Sequence, residues 1–488
     1  MVISRSAPLH IVGLIVAAVG VAMGISGAVG LLYGGPDAVP LFISAAIAVV
    51  MGLAANRLTA RPGELTIRES YLTVTLAWLG AAVFGALPYW LAGIATPLDA
   101  FFESISGFTT TGASIFDNPE ALPRGILFWR DLSQWLGGMG IIVLVVAVLP
   151  FLGVGGMQLF RAEVPGPTPD RLQPRISQTA KILWTVYVGL TAAQAVLFLF
   201  GGLNLFDAVT HAFGCMPTGG FSPRTASIGH FQSPYIQYVT IVFMYLAGVN
   251  FALHYRVLRG KLGSPLRDEE WRFYNAVLGV ALAIVLGANL VAGTYANLEA
   301  TFRASAFQVV SIGTTTGFAT ADYVSWPVVT QIVLVILMFI GGMAGSTGGG
   351  MKTLRLWAAL KQGIVELRKH LHPRAVIVTR VGGKVVHEGI MLNILAFMLL
   401  FVASFIVGAV LLTLLGVDLV TAAGASAAAI GNIGPGLGRV GPVENYAWMP
   451  APGKLILIAL MLLGRLEIYT VLVLFHPEFW QRARGRRS

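Results

Sequence analysis

The sequence predicts an all-α, multi-pass membrane protein: four tandem helix–pore-loop–helix repeats around a pseudo-fourfold pore, preceded by two further helices. Three observations carry that expectation. Only 11% of the 488 residues are charged, 56% are hydrophobic, and the mean hydropathy is +0.77, whereas a water-soluble chain has about 25% charged residues. Apolar runs at 10–34, 39–56, 71–93, around 332–343 and at 391–415 approach or exceed the ~20 residues a helix needs to cross a bilayer. A short motif rich in Gly and Thr recurs four times.

The two leading helices are the runs at 10–34 and 39–56. The first is longer than the ~7–15-residue apolar core of a secretory signal and is followed by no small-residue cleavage site, so it reads as retained. The runs are unbroken, which excludes the alternating pattern of a β-barrel. The single cysteine, Cys215, excludes an intrachain disulfide framework. A net charge of +10 could suggest nucleic acid, but its placement argues otherwise. Of the 32 Lys and Arg, 25 fall at 5, 57–68, 161–181, 256–272, 352–384 and 482–487. The alternate loops hold Asp99, Glu103, Asp117, Glu120, Asp207, Asp322 and Glu444. That asymmetry is the positive-inside pattern; it puts both termini in the cytoplasm and requires an even number of crossings.

The four related segments are FFESISGFTTTGAS (101–114), VTHAFGCMPTGGFS (209–222), FQVVSIGTTTGFAT (307–320) and GASAAAIGNIGPGL (424–437). Aligned on Gly112, Gly219, Gly317 and Gly434 they lie 107, 98 and 117 residues apart. Each follows a long apolar run and a stretch of about ten residues that, at ~1.5 Å each, is too short to span. Such a stretch enters the membrane and turns back, which backbone tolerates at depth only inside protein or beside a water-filled cavity. One copy alone reads more readily as an ordinary extracellular loop turn. Four in register, all on the acid-rich side, point to one pore. The implied organisation is 1–67 for the leading helices, then repeats at 68–175, 176–268, 269–384 and 385–488.

A cation leaving water needs oxygen ligands, which backbone carbonyls can supply. Glycine permits the backbone conformations that aim successive carbonyls at one axis. The triplets Thr110-Thr111-Gly112, Pro217-Thr218-Gly219, Thr315-Thr316-Gly317 and Asn432-Ile433-Gly434 each provide one. The partly negative C-terminal end of each short helix also favours a cation. Asp99, Glu103, Asp207 and Asp322 are candidates for gathering cations at the mouth; each is equally readable as an ordinary loop charge.

TTTGAS, MPTGGFS, TTTGFATADY and GNIGPGLG are similar to the filter loops of the Trk/Ktr/HKT superfamily of potassium transporters, and the resemblance covers about 68–475. It implies a TrkH-type potassium-translocating subunit, because two helices precede the first repeat. It also implies potassium bound at the twelve triplet residues, as substrate and with no cofactor, and uptake across the bacterial inner membrane. Some relatives that favour sodium have Ser in the first repeat; Gly112 resembles the potassium-selective pattern. The resemblance further implies a homodimer and a cytoplasmic TrkA-type nucleotide-binding regulatory subunit. The basic segments at 256–272, 355–384 and 482–487 are docking candidates, although anionic lipid would attract them too.

Two further features stand out. IGGMAGSTGGGMK (340–352) interrupts the second long helix of repeat three with six glycines, each costing roughly 1 kcal/mol in a helix. A phosphate loop would need Lys directly after its last Gly, and Met351 intervenes. Close packing through small residues is one reading. The other, which the superfamily's intramembrane gating loop supports, is a loop across the pore built from Gly345, Ser346, Thr347, Gly348, Gly349 and Gly350, with Lys352 beside it. Arg465 lies within the apolar stretch LMLLGRLEIYTV, where a charge costs at least ~2.5 kcal/mol. The resemblance makes it an electrostatic barrier next to the gating loop; snorkelling or a distant ion pair is the plainer alternative. Asn250 is a weaker candidate for the inner vestibule. An intramembrane enzyme is disfavoured: His387-Glu388 lacks a second zinc-ligand His, and beside Cys215 only His211 is near, as an expected structural histidine. Channel-like conduction and proton- or sodium-coupled symport both fit the scaffold; parallel rather than inverted repeats favour the channel.

Overall fold

The computed structural model describes residues 6–59, 65–147 and 172–481, mostly as helices. The basic stretch at 161–171 and the tail at 482–487 lie outside the described residues. Helices α1 (Ser6–Leu32) and α2 (Ala38–Leu58) form an antiparallel hairpin. Small residues let them approach closely: a methyl group on Gly13 would meet the Gly52 carbonyl at 2.5 Å, the packing expected of helices in lipid. Asp37, in the turn between them and 1% exposed, accepts a hydrogen bond from the backbone of Ile126 (2.7 Å) and so fastens the hairpin to repeat one.

Each repeat then supplies an outer helix, a short pore helix, a loop and an inner helix. Repeat one has α3 (Ile67–Gly85, continuing as Leu87–Leu91), α4 (Pro97–Phe108) and α5 (Arg124–Ala147). Repeat two has α6 (Leu172–Phe200), α7 (Leu205–Cys215), α8 (Pro234–Gly248) and α9 (Phe251–Leu258). Repeat three has α10 (Glu269–Ala292), α11 (Leu298–Gly313), α12 (Val328–Ile340) and α13 (Thr353–Leu371). After a small hairpin pairing Arg380 with Val385, repeat four has α14 (Glu388–Leu414), α15 (Leu419–Gly431), α16 (Ala451–Arg465) and α17 (Tyr469–Leu472). Among the described residues six helices are long and apolar enough to cross a membrane alone, and two more spans are bent pairs. The outer helices are apolar on both sides. On α14, Met391, Ile394, Phe397 and Phe401 are buried while Leu392, Leu399, Val407 and Leu414 are exposed, as lipid contact requires.

The pore helices α4, α7, α11 and α15 have 12, 11, 16 and 13 residues, somewhat longer than the expected ten and still too short to span. Each begins with a side-chain cap that accepts from the backbone three residues on: Thr96 from Asp99, Asn204 from Asp207, Asn297 from Ala300 and Asp418 from Thr421. Caps of this kind contribute about 1 kcal/mol each, and here they fix where each re-entrant segment starts.

The inner helices depart from expectation. The sequence marks a break only in repeat three, but repeats two and four bend by 105° and 112° at residues 249–250 and 466–468. At the first bend the Asn250 side chain accepts from Ala252 and starts a new helix (2.8 Å). At the second, Glu467 and Ile468 take positive φ angles. Arg465 is therefore the last residue of α16, at a break, and not inside a continuous helix.

Repeats one and two are braced by a buried ion pair. Arg130 on α5 donates to Glu103 on α4 (2.8 Å), to Ser114 (3.2 Å) and to the Ser222 carbonyl of loop two (3.2 Å), and its guanidinium lies 4.2 Å from the centre of the Phe221 ring. Glu103 also accepts from the Ile115 backbone (2.9 Å). Removing one partner leaves a buried charge uncompensated, a loss of about 3–5 kcal/mol. Glu103→Leu is therefore expected to lower the melting temperature of the purified protein sharply, and the double variant Glu103→Leu/Arg130→Met to recover much of the loss.

Candidate functional site

The four loops close into a ring. In each, the pore helix ends the same way: the amides of Thr110, Thr218, Thr315 and Asn432 donate to the carbonyls of Gly107, Cys215, Ile312 and Ala429. The next amides, of Thr111, Gly219, Thr316 and Ile433, reach back to Ser106, Gly214, Ser311 and Ala428. Thr110, Thr218, Thr315 and Asn432 have φ of 52°, 57°, 63° and 53°, and two residues on Gly112, Gly220, Gly317 and Gly434 have φ of 82°, 76°, 81° and 95°. Left-handed backbone of this kind is costly for residues with a Cβ.

Each of those glycines faces its neighbour's backbone. A Cβ on Gly112 would lie 2.1 Å from the Gly219 carbonyl oxygen, one on Gly220 2.1 Å from that of Thr316, one on Gly317 1.9 Å from that of Ile433, and one on Gly434 2.7 Å from that of Thr111. Repeat one thus abuts two, two abuts three, three abuts four, and four abuts one. A cavity of about 110 Å³ is bounded by all four glycines.

This geometry corrects the sequence alignment in repeat two. The matching triplet is Thr218-Gly219-Gly220, and Pro217 falls one position ahead of it. A Gly-Gly doublet hides the register, and only the φ angles and amide pattern resolve it. The other three triplets stand where the sequence set them: Thr110, Thr111 and Gly112; Thr315, Thr316 and Gly317; Asn432, Ile433 and Gly434.

Behind the ring, polar side chains hold the loops. Gln134 on α5 donates to the Gly219 carbonyl (2.7 Å) and accepts from the Phe221 amide (3.0 Å). Asn432 donates to Thr111 Oγ1 (3.0 Å) and to the Met461 carbonyl (2.9 Å), linking repeats four and one. Tyr323 and Tyr446 donate to the carbonyls of Gly436 and Gly434. His211 bridges the Asp207 carbonyl and Ser222, the structural role expected of it.

Three of the mouth acids are committed elsewhere. Glu103 pairs with Arg130, Asp207 with Arg224 (2.5 Å) and Asp99 with Lys454 (2.5 Å). Asp322 caps a single turn at Val324 (3.0 Å). They fix loops in place instead of standing free at the entrance.

The glycine-rich segment after α12 packs directly beneath the ring. The Gly349 amide donates to Thr315 Oγ1 (2.6 Å), and the Gly350 amide to the Gly431 carbonyl at the end of α15 (3.1 Å). Thr347 Oγ1 donates to the Met216 carbonyl (2.9 Å), below loop two, and to that of Ala247 (3.2 Å). Gly345 lies against Asn250 and its carbonyl accepts from the Phe251 amide (3.1 Å), so the segment occupies the break in repeat two. Ser346 hydrogen-bonds the Met343 carbonyl (2.6 Å), and a Cβ on Gly348 would lie 3.0 Å from the Thr314 carbonyl. Lys352, with φ of 72°, donates to the Gly348 carbonyl across the segment's own turn. Arg465, 2% exposed, donates to the Thr347 carbonyl (2.8 Å) and the Gly137 carbonyl (3.3 Å), joining segment, repeat four and repeat one. Its near neighbour Glu467 pairs instead with Arg355 on α13.

Sequence reading missed Glu270, at the start of α10. Its carboxylate accepts from the Ala344 amide (2.7 Å) and Thr353 Oγ1 (2.9 Å), clamping both ends of the segment. An acid in the first helical turn looks like ordinary helix capping in sequence. Gln134 was equally silent, as one polar residue of a helix that also holds Arg130, Asp131 and Ser133.

The family model for the TrkH family, described as a cation transport protein, matches residues 39–482. The chain belongs to the TrkH family. It is 42% identical to the Trk system potassium uptake protein TrkH of Salmonella typhimurium, over 97% of this chain and 98% of that protein. It is 36% identical to the Trk system potassium uptake protein TrkG of Escherichia coli, over 93% and 94%. The crystal structure of the potassium transporter TrkH from Vibrio parahaemolyticus superimposes with a TM-score of 0.90 at 38% identity, covering 97% of this chain and 99% of that one.

The register in repeat two is open to test. Gly220→Ala drives a Cβ into neighbouring backbone and is expected to lower cation flux in proteoliposomes sharply. The three atoms nearest a Cβ on Gly219 all belong to the end of the Gln134 side chain, from 2.4 Å, and not to backbone, so Gly219→Ala is expected to keep more flux than Gly220→Ala.

Proposed function

We propose that this protein takes up potassium across the bacterial inner membrane through a channel-like path whose selectivity filter is the ring of four loops. The observation that carries this reading is the closed ring of glycines and carbonyls, which catalysis would not require and a pore does. In the filter, loop carbonyls around 110–112, 218–220, 315–317 and 432–434 replace the ion's hydration shell. The pore-helix C-terminal ends add partial negative charge. Parallel repeats around a single ring support a channel-like path over coupled symport.

The segment at 345–350 is the gate and Arg465 its latch. A guanidinium just inside the filter repels cations, and its bond to Thr347 holds the segment across the path. Opening then requires Arg465, Lys352 and the segment to move together, which the glycines permit. A TrkA-type nucleotide-binding subunit docking on the basic cytoplasmic face, where α13 carries Arg368 and Lys369, would supply the trigger, in a homodimer with both termini cytoplasmic. The family match, the 42% identity to a Trk system potassium uptake protein and the charge asymmetry support this arrangement.

Two outcomes test it. Gly112→Ser is expected to reduce the potassium-over-sodium permeability ratio by about tenfold, equivalent to ~1.4 kcal/mol; an unchanged ratio counts against the filter. Arg465→Ala is expected to raise potassium flux at equal protein level and to rescue growth of an uptake-deficient bacterium at low potassium without the regulatory subunit. Reduced flux with normal protein abundance would overturn the latch.

A further inference from the structure

A second cavity, of about 480 Å³, is not absorbed by the pore. It lies between the α1–α2 turn, the end of loop one and the start of pore helix α7, at the end of α1 away from its first residue, Ser6. Its lining includes Tyr33, Glu120, Arg124, Phe206, Asp207 and Arg224. Asp207 and Arg224 neutralise each other. Arg124 has no carboxylate partner among the described residues. Its guanidinium is held 4.3 Å from the centre of the Tyr33 ring and 5.7 Å from that of Phe206. It is also the first residue of α5, where the partial positive charge of the helix start makes a cation unfavourable and an anion favourable. Glu120 supplies a half-exposed carboxylate on the same wall, 3.7 Å from His230.

The surroundings are apolar. Leu31, Leu32, Phe200 and Leu205, at the ends of α1, α6 and α7 beside the cavity, are between 62% and 84% exposed. Leu31, Leu32 and Leu205 adjoin the lining residues Tyr33, Asn204 and Phe206 in the chain, so bare apolar side chains flank a cavity that contains an arginine.

We propose that this cavity binds the headgroup of an outer-leaflet phospholipid carrying both phosphate and ammonium, a phosphoethanolamine lipid. The phosphate lies on Arg124, where a guanidinium makes charge-assisted bonds. The ammonium lies toward Glu120, and the acyl chains run down the exposed leucines. The occupant would also steady loop two, because Arg224 donates from its backbone to Ser222, which His211 holds.

The test uses the full-length protein, stripped of lipid in detergent and melted with phosphatidylethanolamine, with phosphatidylglycerol or with soluble phosphoethanolamine. Phosphatidylethanolamine is expected to raise the melting temperature more than phosphatidylglycerol does. Arg124→Gln is expected to lose at least half of that rise, and Glu120→Gln the preference between the two lipids. Tyr33→Leu, on an exposed turn, removes the ring that holds the guanidinium and is expected to lower the rise as well, which keeps the test open if Arg124→Gln does not fold. A full rise in both Arg124→Gln and Tyr33→Leu, or equal effects of the two lipids on the parent protein, overturns the proposal. A rise reproduced by soluble phosphoethanolamine overturns the lipid as its source and assigns the site to a free phosphate ester.

Discussion

The fold depends on the approach of four glycine Cα atoms to four carbonyl oxygens of neighbouring loops. At hypothetical Cβ distances of 1.9–2.7 Å, any side chain must push the neighbouring backbone aside, so glycine at 112, 220, 317 and 434 sets the dimensions of the ring. That close approach fixes how near the repeats stand to one another. It therefore fixes the diameter of whatever passes between them. The buried polar braces behind it, from Gln134, Asn432, Tyr323, Tyr446 and the Arg130–Glu103 pair, hold loops whose own backbone is in left-handed, strained conformations. Strain of this kind persists only where the surroundings over-determine it; these side chains hold loops one, two and four, and Ser227 of repeat two holds loop three by accepting from the Ala319 amide (3.3 Å).

Beneath the ring, the segment after α12 uses the breaks in the other inner helices. The bend at 249–250 gives Gly345 room beside Asn250, and the bend after Arg465 brings the guanidinium within reach of the Thr347 carbonyl. Breaking a membrane helix frees backbone groups that must find partners. Part of that demand is met between the breaks: the Phe251 amide bonds Gly345, and the Met343 amide bonds Gly248. The interruptions are thus one interlocked structure, and movement of the segment would expose unpaired groups in repeat two as well as its own.

Much of this was legible in the sequence. Composition and apolar runs defined a membrane protein, and four spaced motifs defined the repeats, because both signals come from residues whose type alone sets their environment. Gly112, Gly317 and Gly434, the glycines on which the sequence aligns repeats one, three and four, also hold the positive-φ position of their loops, each standing as a lone glycine after Thr-Thr or Asn-Ile. Repeat two was misread by one residue because Gly219 and Gly220 are chemically identical and only backbone conformation distinguishes them. The bends in repeats two and four carry no glycine run to announce them. The caps at Thr96, Asn204, Asn297 and Asp418 were visible in principle, as polar residues placed just before apolar stretches. The partners of Glu270, Glu467 and Asp37 lie 74, 112 and 89 positions away, beyond any local pattern.

Arg465, the buried arginine at the break in repeat four, has a bearing on why four unequal units are joined in one chain. Four identical subunits around an axis would each present that residue, bringing four guanidiniums to the same level. At a spacing of roughly 8 Å and an effective dielectric of about 20, each adjacent pair would repel by about 2 kcal/mol. Covalent fusion removes this obligation: repeat four alone carries the guanidinium, repeat three the glycine-rich segment it bonds, and repeat two the break that receives that segment. Duplicated parts joined in one chain can thus differ at one level while matching at another.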